Sequence, residues 1–152
     1  MKKLLFLAML VTAVTACDSD DNNEPFAPQE LEFEVLANGF HVSTPWEEQE
    51  TIIQNQTELE NLLGSNPNPE SPLANFDFEN YQMIAIFGEF KNETRFYIID
   101  NIVEYESEII IEYTLFYSGG ISMETYQPWI FVKMPKSNKP IVFEMEDVLI
   151  ED

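Results

Sequence analysis

The chain has 152 residues, 45% of them hydrophobic and 13% aromatic, with 28 acids against 7 bases and a formal net charge of −21. That length suits one domain with a real core rather than two, and the acidic balance excludes binding that rests on basic patches, to nucleic acid or to anionic head groups. A single cysteine and a single histidine exclude a disulfide framework and a zinc site built from thiolates and imidazoles.

Residues 1–16 run from a basic start, Met1-Lys2-Lys3, through the apolar LLFLAMLV to the small residues of TAVTA. This is the layout of a secretory signal, and its apolar run is too short to span a bilayer. Val14-Thr15-Ala16-Cys17 resembles the lipobox of bacterial lipoproteins. The resemblance implies that the leader is removed before Cys17, whose sulfur takes diacylglycerol and whose new amino group is acylated. Several acyl chains anchor a protein where a single one gives only marginal binding. Asp18-Ser19-Asp20-Asp21 resembles the acidic signal that carries some Gram-negative lipoproteins to the cell surface. A calcium loop is the weaker reading, because Asn23 stands where such a loop needs its sixth-position glycine. Residues 17–28 therefore read as an acidic, flexible tether, stiffened at its end by Pro25 and Pro28.

From residue 29 to 152 the pattern is that of one β-rich domain. LEFEVL (31–36) alternates Leu31, Phe33 and Val35 with two glutamates, the mark of a half-buried strand. Asn38-Gly39 then predicts a tight turn into a second strand carrying Phe40 and Val42. ETIIQ (50–54) is a short strand. Thr57 and Glu60 form a capping box for a two-turn helix with Leu59, Leu62 and Leu63 on one side and Gly64 as its stop. Prolines and polar turn residues make 65–78 a loop. Five strands follow, YQMIAIF (81–87), TRFYIID (94–100), IIIEYTLFY (109–117), PWIFVKM (128–134) and IVFEM (141–145). They are rich in β-branched and aromatic residues, and their connections are too short for crossover helices, which predicts antiparallel pairing. Apolar runs such as Met83 to Phe87 predict central strands covered on both faces. The expected fold class is α+β, mainly β, with about seven or eight antiparallel strands and one short helix.

Three stretches, FDFENYQMIAIFGEF (76–90), RFYIIDNIVEYESEIIIEY (95–113) and QPWIFVKMPKSNKPIVF (127–143), resemble the PrcB C-terminal domain family. The resemblance covers roughly residues 41–146 and is most specific at the Gln-Pro-aromatic strand that runs into Lys133-Met134-Pro135-Lys136. Members of that family are mostly secreted or lipoprotein chains, named for a subunit of a cell-surface protease complex that supports the catalytic subunit and is not itself the protease. This chain departs from the family where a Gly-Gly-Tyr step is replaced by Glu93-Thr94-Arg95-Phe96. A hairpin with Asn92 at positive φ is expected there instead.

No catalytic constellation stands out. His41 lies beside Val42 in an expected strand, and no Gly-x-Ser-x-Gly elbow is present. With 28 acids, pairs of carboxylates arise by chance and point to no hydrolase on their own. Ser118-Gly119-Gly120 reads as a hairpin tip, since neither a helix nor a base follows to bind phosphate. For binding, Trp46, Tyr117, Tyr126 and Trp129 fall near loop ends, where aromatics plug a barrel end or form a contact patch. Lys133, Lys136 and Lys139 make the only basic cluster past the leader, either guarding a sheet edge or receiving an acidic partner. The sequence thus predicts an outer-membrane lipoprotein, anchored through Cys17 and exposed at the cell surface. Its domain is expected to be a non-enzymatic accessory or protein-binding module, without cofactor, metal or nucleic acid. A protease or another surface protein is the expected partner, and Trp46, Tyr117, Tyr126, Trp129, Lys133 and Lys136 are the candidate contact residues. Two alternatives are a carboxylate-based hydrolase of surface polymers and a protease inhibitor that caps its target through the 118–126 loop.

Overall fold

Strands form here wherever β-branched and aromatic residues run unbroken between turn residues. The computed structural model describes residues 26–40, 46–64, 67–120 and 124–150. The leader, Cys17, Asp18, Ser19, Asp20, Asp21 and the His41–Val42 stretch lie outside the described residues, as does the tether up to Pro25. In chain order the elements are β1 (Gln29–Glu30), β2 (Glu34–Gly39), β3 (Gln49–Ile53), α1 (Gln56–Leu63), β4 (Tyr81–Phe87), β5 (Arg95–Glu104), β6 (Ile109–Tyr117), β7 (Trp129–Pro135) and β8 (Ile141–Leu149). Two four-stranded sheets result, one ordered β1-β5-β6-β8 and the other β2-β7-β4-β3. The mainly β, α+β class expected from the sequence is the one observed.

Pairing is antiparallel with one exception, β6 beside β8, which run parallel from Ile109↔Ile141 to Tyr117↔Leu149. The connection between them carries no helix. It passes through β7, a strand of the other sheet, and that detour supplies the return a parallel pair needs. The chain likewise changes sheets between β4 and β5, so residues 88–94 are a crossover rather than the expected hairpin. Asn92 is not at positive φ. The step is instead pinned by Lys91 and Tyr126, whose backbones exchange hydrogen bonds of 2.9 and 2.7 Å.

Two further expectations shift by a few residues. The capping box lies two positions ahead of Thr57 and Glu60. The Asn55 side chain accepts from the Glu58 amide at 3.0 Å, and the Glu58 carboxylate accepts from the Gln54 amide at 2.7 Å. Gly64, at φ 69°, ends α1 as expected. At the start of the domain, Asn38-Gly39 is not a turn. Both residues pair within β2, opposite Ile130 and Trp129. Gly39 is needed for close approach, because a Cβ there would stand 2.6 Å from the Trp129 ring. The register of β2 also slips between Val35 and Ala37, and such a bulge moves side chains to the other face. Past the bulge Leu36 and Ala37 pack against the core on the helix side of the sheet, whereas Phe33 and Val35, ahead of it, stay exposed.

The core has two parts. Between the sheets, Ile84, Ile86, Ile130 and Val132 meet Ile99, Ile102, Ile111 and Leu115. On the far side of β4 and β7, Met83, Ala85, Phe87 and Phe131 are covered by Leu59 of α1 and by Leu73 from the loop that follows it. Alternate residues of β4 thus serve the two clusters, which is why its sequence reads as one apolar run.

Candidate functional site

The six residues singled out from the sequence do not assemble into one patch. Trp46 and Trp129 join the second core cluster, with Trp46 4.8 Å from Phe87 and 6.2 Å from Trp129 between ring centroids. Both serve packing at that end of the sheet. Gln127, which the sequence reading passed over, fixes them there. Its side chain is buried, accepts from the Trp46 amide at 2.8 Å and donates to the Trp46 and Gly88 carbonyls at 2.8 and 2.9 Å. A buried amide with three backbone partners on two separated segments is a clamp. It gives a structural reason for the Gln-Pro-aromatic stretch. Tyr126 packs edge-on against Phe40 at 5.4 Å and donates to Glu124 at 3.0 Å. Tyr117 is half-buried at the end of β6, opposite Arg95.

The lysines are engaged locally. Lys133 pairs with Glu34 across the sheet at 3.0 Å, a contact that holds its pKa above the usual lysine value, and it lies 4.4 Å over the Tyr81 ring. Lys136 donates to the Phe78 carbonyl at 2.9 Å. Lys139 reaches Glu104 at 3.0 Å and the Tyr105 carbonyl at 2.6 Å. Lys133 thus links two neighbouring strands, and Lys136 and Lys139 tie the segment after β7 to other parts of the fold.

A different surface is open. Among the described residues the helix and the loop after it cover the β2-β7-β4-β3 sheet, and no described element covers the outer side of β5, β6 and β8. By strand alternation it presents Phe96, Ile98, Ile110, Phe116, Val142 and Val148. Phe96 and Phe116 stack at 5.2 Å, and Ile98 and Val142 are 44% and 36% exposed. The same face carries Glu112, Glu144 and Glu146, beside Asp100, which accepts from the Thr114 hydroxyl at 2.6 Å. These carboxylates border a shallow groove with Met145. β8 has a strand neighbour on one side only among the described residues, so nine residues of backbone stand at a free edge.

Between the sheets, on the side where the edge strands β3 and β8 lie, is a cleft of about 280 Å³ lined by Glu48, Glu50, Ile86, Tyr97, Tyr113 and Met145, among others. The Tyr113 hydroxyl donates to the Glu50 carboxylate, joining β6 to β3. Tyr97 packs edge-on against Tyr113, with centroids 5.5 Å apart, and is only 6% exposed. Burial, reinforced by Glu48, pushes the Tyr97 phenol up to about 12. Burial and then the Glu50 hydrogen bond raise Tyr113 as well. Both phenols therefore stay protonated at neutral pH, in a field set by carboxylates. The pairing that builds this cleft is not legible in the sequence, because Glu50 and Tyr113 are 63 residues apart. The one available hint was the polar Tyr113 in an otherwise apolar inward row, Ile109, Ile111 and Leu115. The chain matches no protein-family model, no curated protein and no solved structure.

Proposed function

We propose that this chain is a surface-exposed outer-membrane lipoprotein, held by lipid on Cys17, whose domain is a non-enzymatic protein-binding or accessory module of the kind found in protease complexes. One observation carries the binding role. A sheet with apolar side chains on its solvent side, 44% exposure at Ile98 and a free nine-residue edge strand offers both contact area and main-chain hydrogen bonds to a partner. The lipobox-like Val14-Thr15-Ala16-Cys17, the acids after it and the resemblance to the PrcB C-terminal domain family support the anchor and the accessory role. No helix among the described residues is long and apolar enough to cross a membrane, so the reading rests on the lipid for attachment.

The test is fractionation and proteinase shaving of intact cells expressing wild type, Cys17→Ser and Asp18/Asp20/Asp21→Ala. Wild type should sediment with outer membrane and be digested on intact cells. Cys17→Ser should leave the membrane fraction, and the triple variant should resist shaving. Wild type that resists digestion overturns the surface location. A detergent extract from which no stoichiometric partner co-purifies overturns the accessory role. A hydrolase reading draws on Glu48 and Glu50 in the inter-sheet cleft. It requires release of reducing ends from a surface polysaccharide, lost in Glu50→Gln, and an inactive preparation discards it.

A further inference from the structure

Two independent features meet on β8. The first is main chain. β8 pairs with β6 on one side only among the described residues, so its other side presents a row of backbone donors and acceptors that a further strand satisfies. The second is the order of side chains along that row. The parallel register runs from Ile109↔Ile141 to Tyr117↔Leu149, and Ile109, Ile111 and Leu115 belong to the core between the sheets. Val142, Glu144, Glu146 and Val148 therefore share the outward face. Along the strand that row is apolar, acidic, acidic, apolar, and it is the same from either end.

The two glutamates contribute nothing to holding the fold. Glu144 stands in register beside Glu112, and like charges so placed repel. Neither Glu144 nor Glu146 is in an ion pair among the described residues. The five bases there are engaged elsewhere, four in salt bridges and Lys136 on the Phe78 carbonyl. The valines at each end have apolar neighbours. Val142 lies beside Ile110 and Val148 beside Phe116, which stacks on Phe96.

We propose that β8 takes up a basic strand of the partner protein by edge addition. That strand sets an apolar residue, two lysines or arginines and a second apolar residue against Val142, Glu144, Glu146 and Val148. A strand laid along β8 puts every second side chain on the outward face, opposite this row. Its two cations also relieve the repulsion between Glu112 and Glu144, and its apolar residues extend the contacts of Ile110 and Phe116. Main-chain hydrogen bonds hold the strand, and the side-chain row selects it.

Other occupants are disfavoured by charge and position. A second copy paired antiparallel about Met145 sets Glu144 against Glu146 twice, and one centred on either glutamate sets that residue against itself. The tether carries Asp18, Asp20, Asp21 and Glu24 and no base, and the chain enters this sheet at β1, on the edge away from β8. The acids thus keep copies of this chain off the edge and leave it open to a cationic strand.

This partner chemistry rests on the protein-binding role proposed above, and the experiment separates the two. The full chain in detergent, labelled with ¹⁵N, is titrated with a threonine peptide that carries valine, lysine, lysine and valine at alternate positions, nine residues long like β8. One comparison peptide has glutamate for both lysines. Another has proline for the threonines that flank the lysines, which keeps the charge and removes ladder donors. The lysine peptide should move the β8 amide signals saturably, and each comparison peptide should bind more weakly by about tenfold or more. Glu144→Gln with Glu146→Gln should weaken the lysine peptide about tenfold, the scale of one charge-assisted hydrogen bond. Glu60→Gln with Glu70→Gln, on α1 and the loop after it, makes the same change in net charge and should alter binding less than about twofold. Equal binding of either comparison peptide, an equal loss in the Glu60 and Glu70 pair, or no saturable shift overturns the basic strand. A partner that co-purifies while the lysine peptide leaves β8 unmoved refutes this inference alone. Saturable lysine-peptide binding with no partner recovered refutes the accessory role and leaves the selectivity of the edge standing.

Discussion

Gln127 and Tyr97 are both buried with a polar group each, and they fail in different ways when changed. Gln127 clamps Trp46 and Gly88 through three hydrogen bonds. Gln127→Leu keeps the volume but strands three backbone groups, the buried Gly88 carbonyl and the part-buried amide and carbonyl of Trp46, at about 1–3 kcal/mol for each that finds no water. A loss of about 2–4 kcal/mol in urea unfolding is the expected result, with a blue-to-red shift of tryptophan emission as Trp46 is released. Tyr97 answers to pH. Its folded pKa, raised to about 12, lies above the unfolded value near 10. The protonated phenol therefore favours the folded state fully below pH ~10, and that contribution is lost as pH climbs toward 12. Tyr97→Phe should flatten the fall in stability across that window in a denaturant series at successive pH values, and an unchanged slope would count against the burial that causes the shift.

At the scale of elements, some strands were legible to the residue and others were not, for one physical reason. β4 and β6 were read at 81–87 and 109–117 as they occur, because a strand covered on both faces, or stacked in a sheet interior, is an apolar run whose identity does not depend on phase. β2 depends on phase, and its bulge changes that phase partway along the strand. The parallel β6–β8 pair was illegible because a crossover through another sheet leaves no helical signature in sequence. The cleft was hidden for the same reason, since topology alone brings β3, β6 and β8 together. The shifted capping box gives a direct check. Asn55→Ala should cost about 1 kcal/mol and Thr57→Ala less than about 0.5 kcal/mol, and the reverse order would restore the box read from sequence. Gly39→Ala drives a methyl into the Trp129 ring, so thermal unfolding should fall by the equivalent of about 1–3 kcal/mol.

Taken whole, the molecule is asymmetric. One sheet is sealed by α1 and the long loop, and the other shows an apolar, acidic face and a free edge to solvent. Under the proposed anchoring through Cys17, a tether of about ten residues would let that face turn toward a neighbour. The central claim is that the β8 side is the docking side, and site-specific photo-crosslinking in intact cells tests it most directly. A photoreactive amino acid placed at Val142, on the outward face of β8, is compared with one at Asn61, exposed on α1. The account predicts a discrete, ultraviolet-dependent adduct of one size from position 142 and none from position 61. Adducts absent from 142, or equal from both positions, would contradict it.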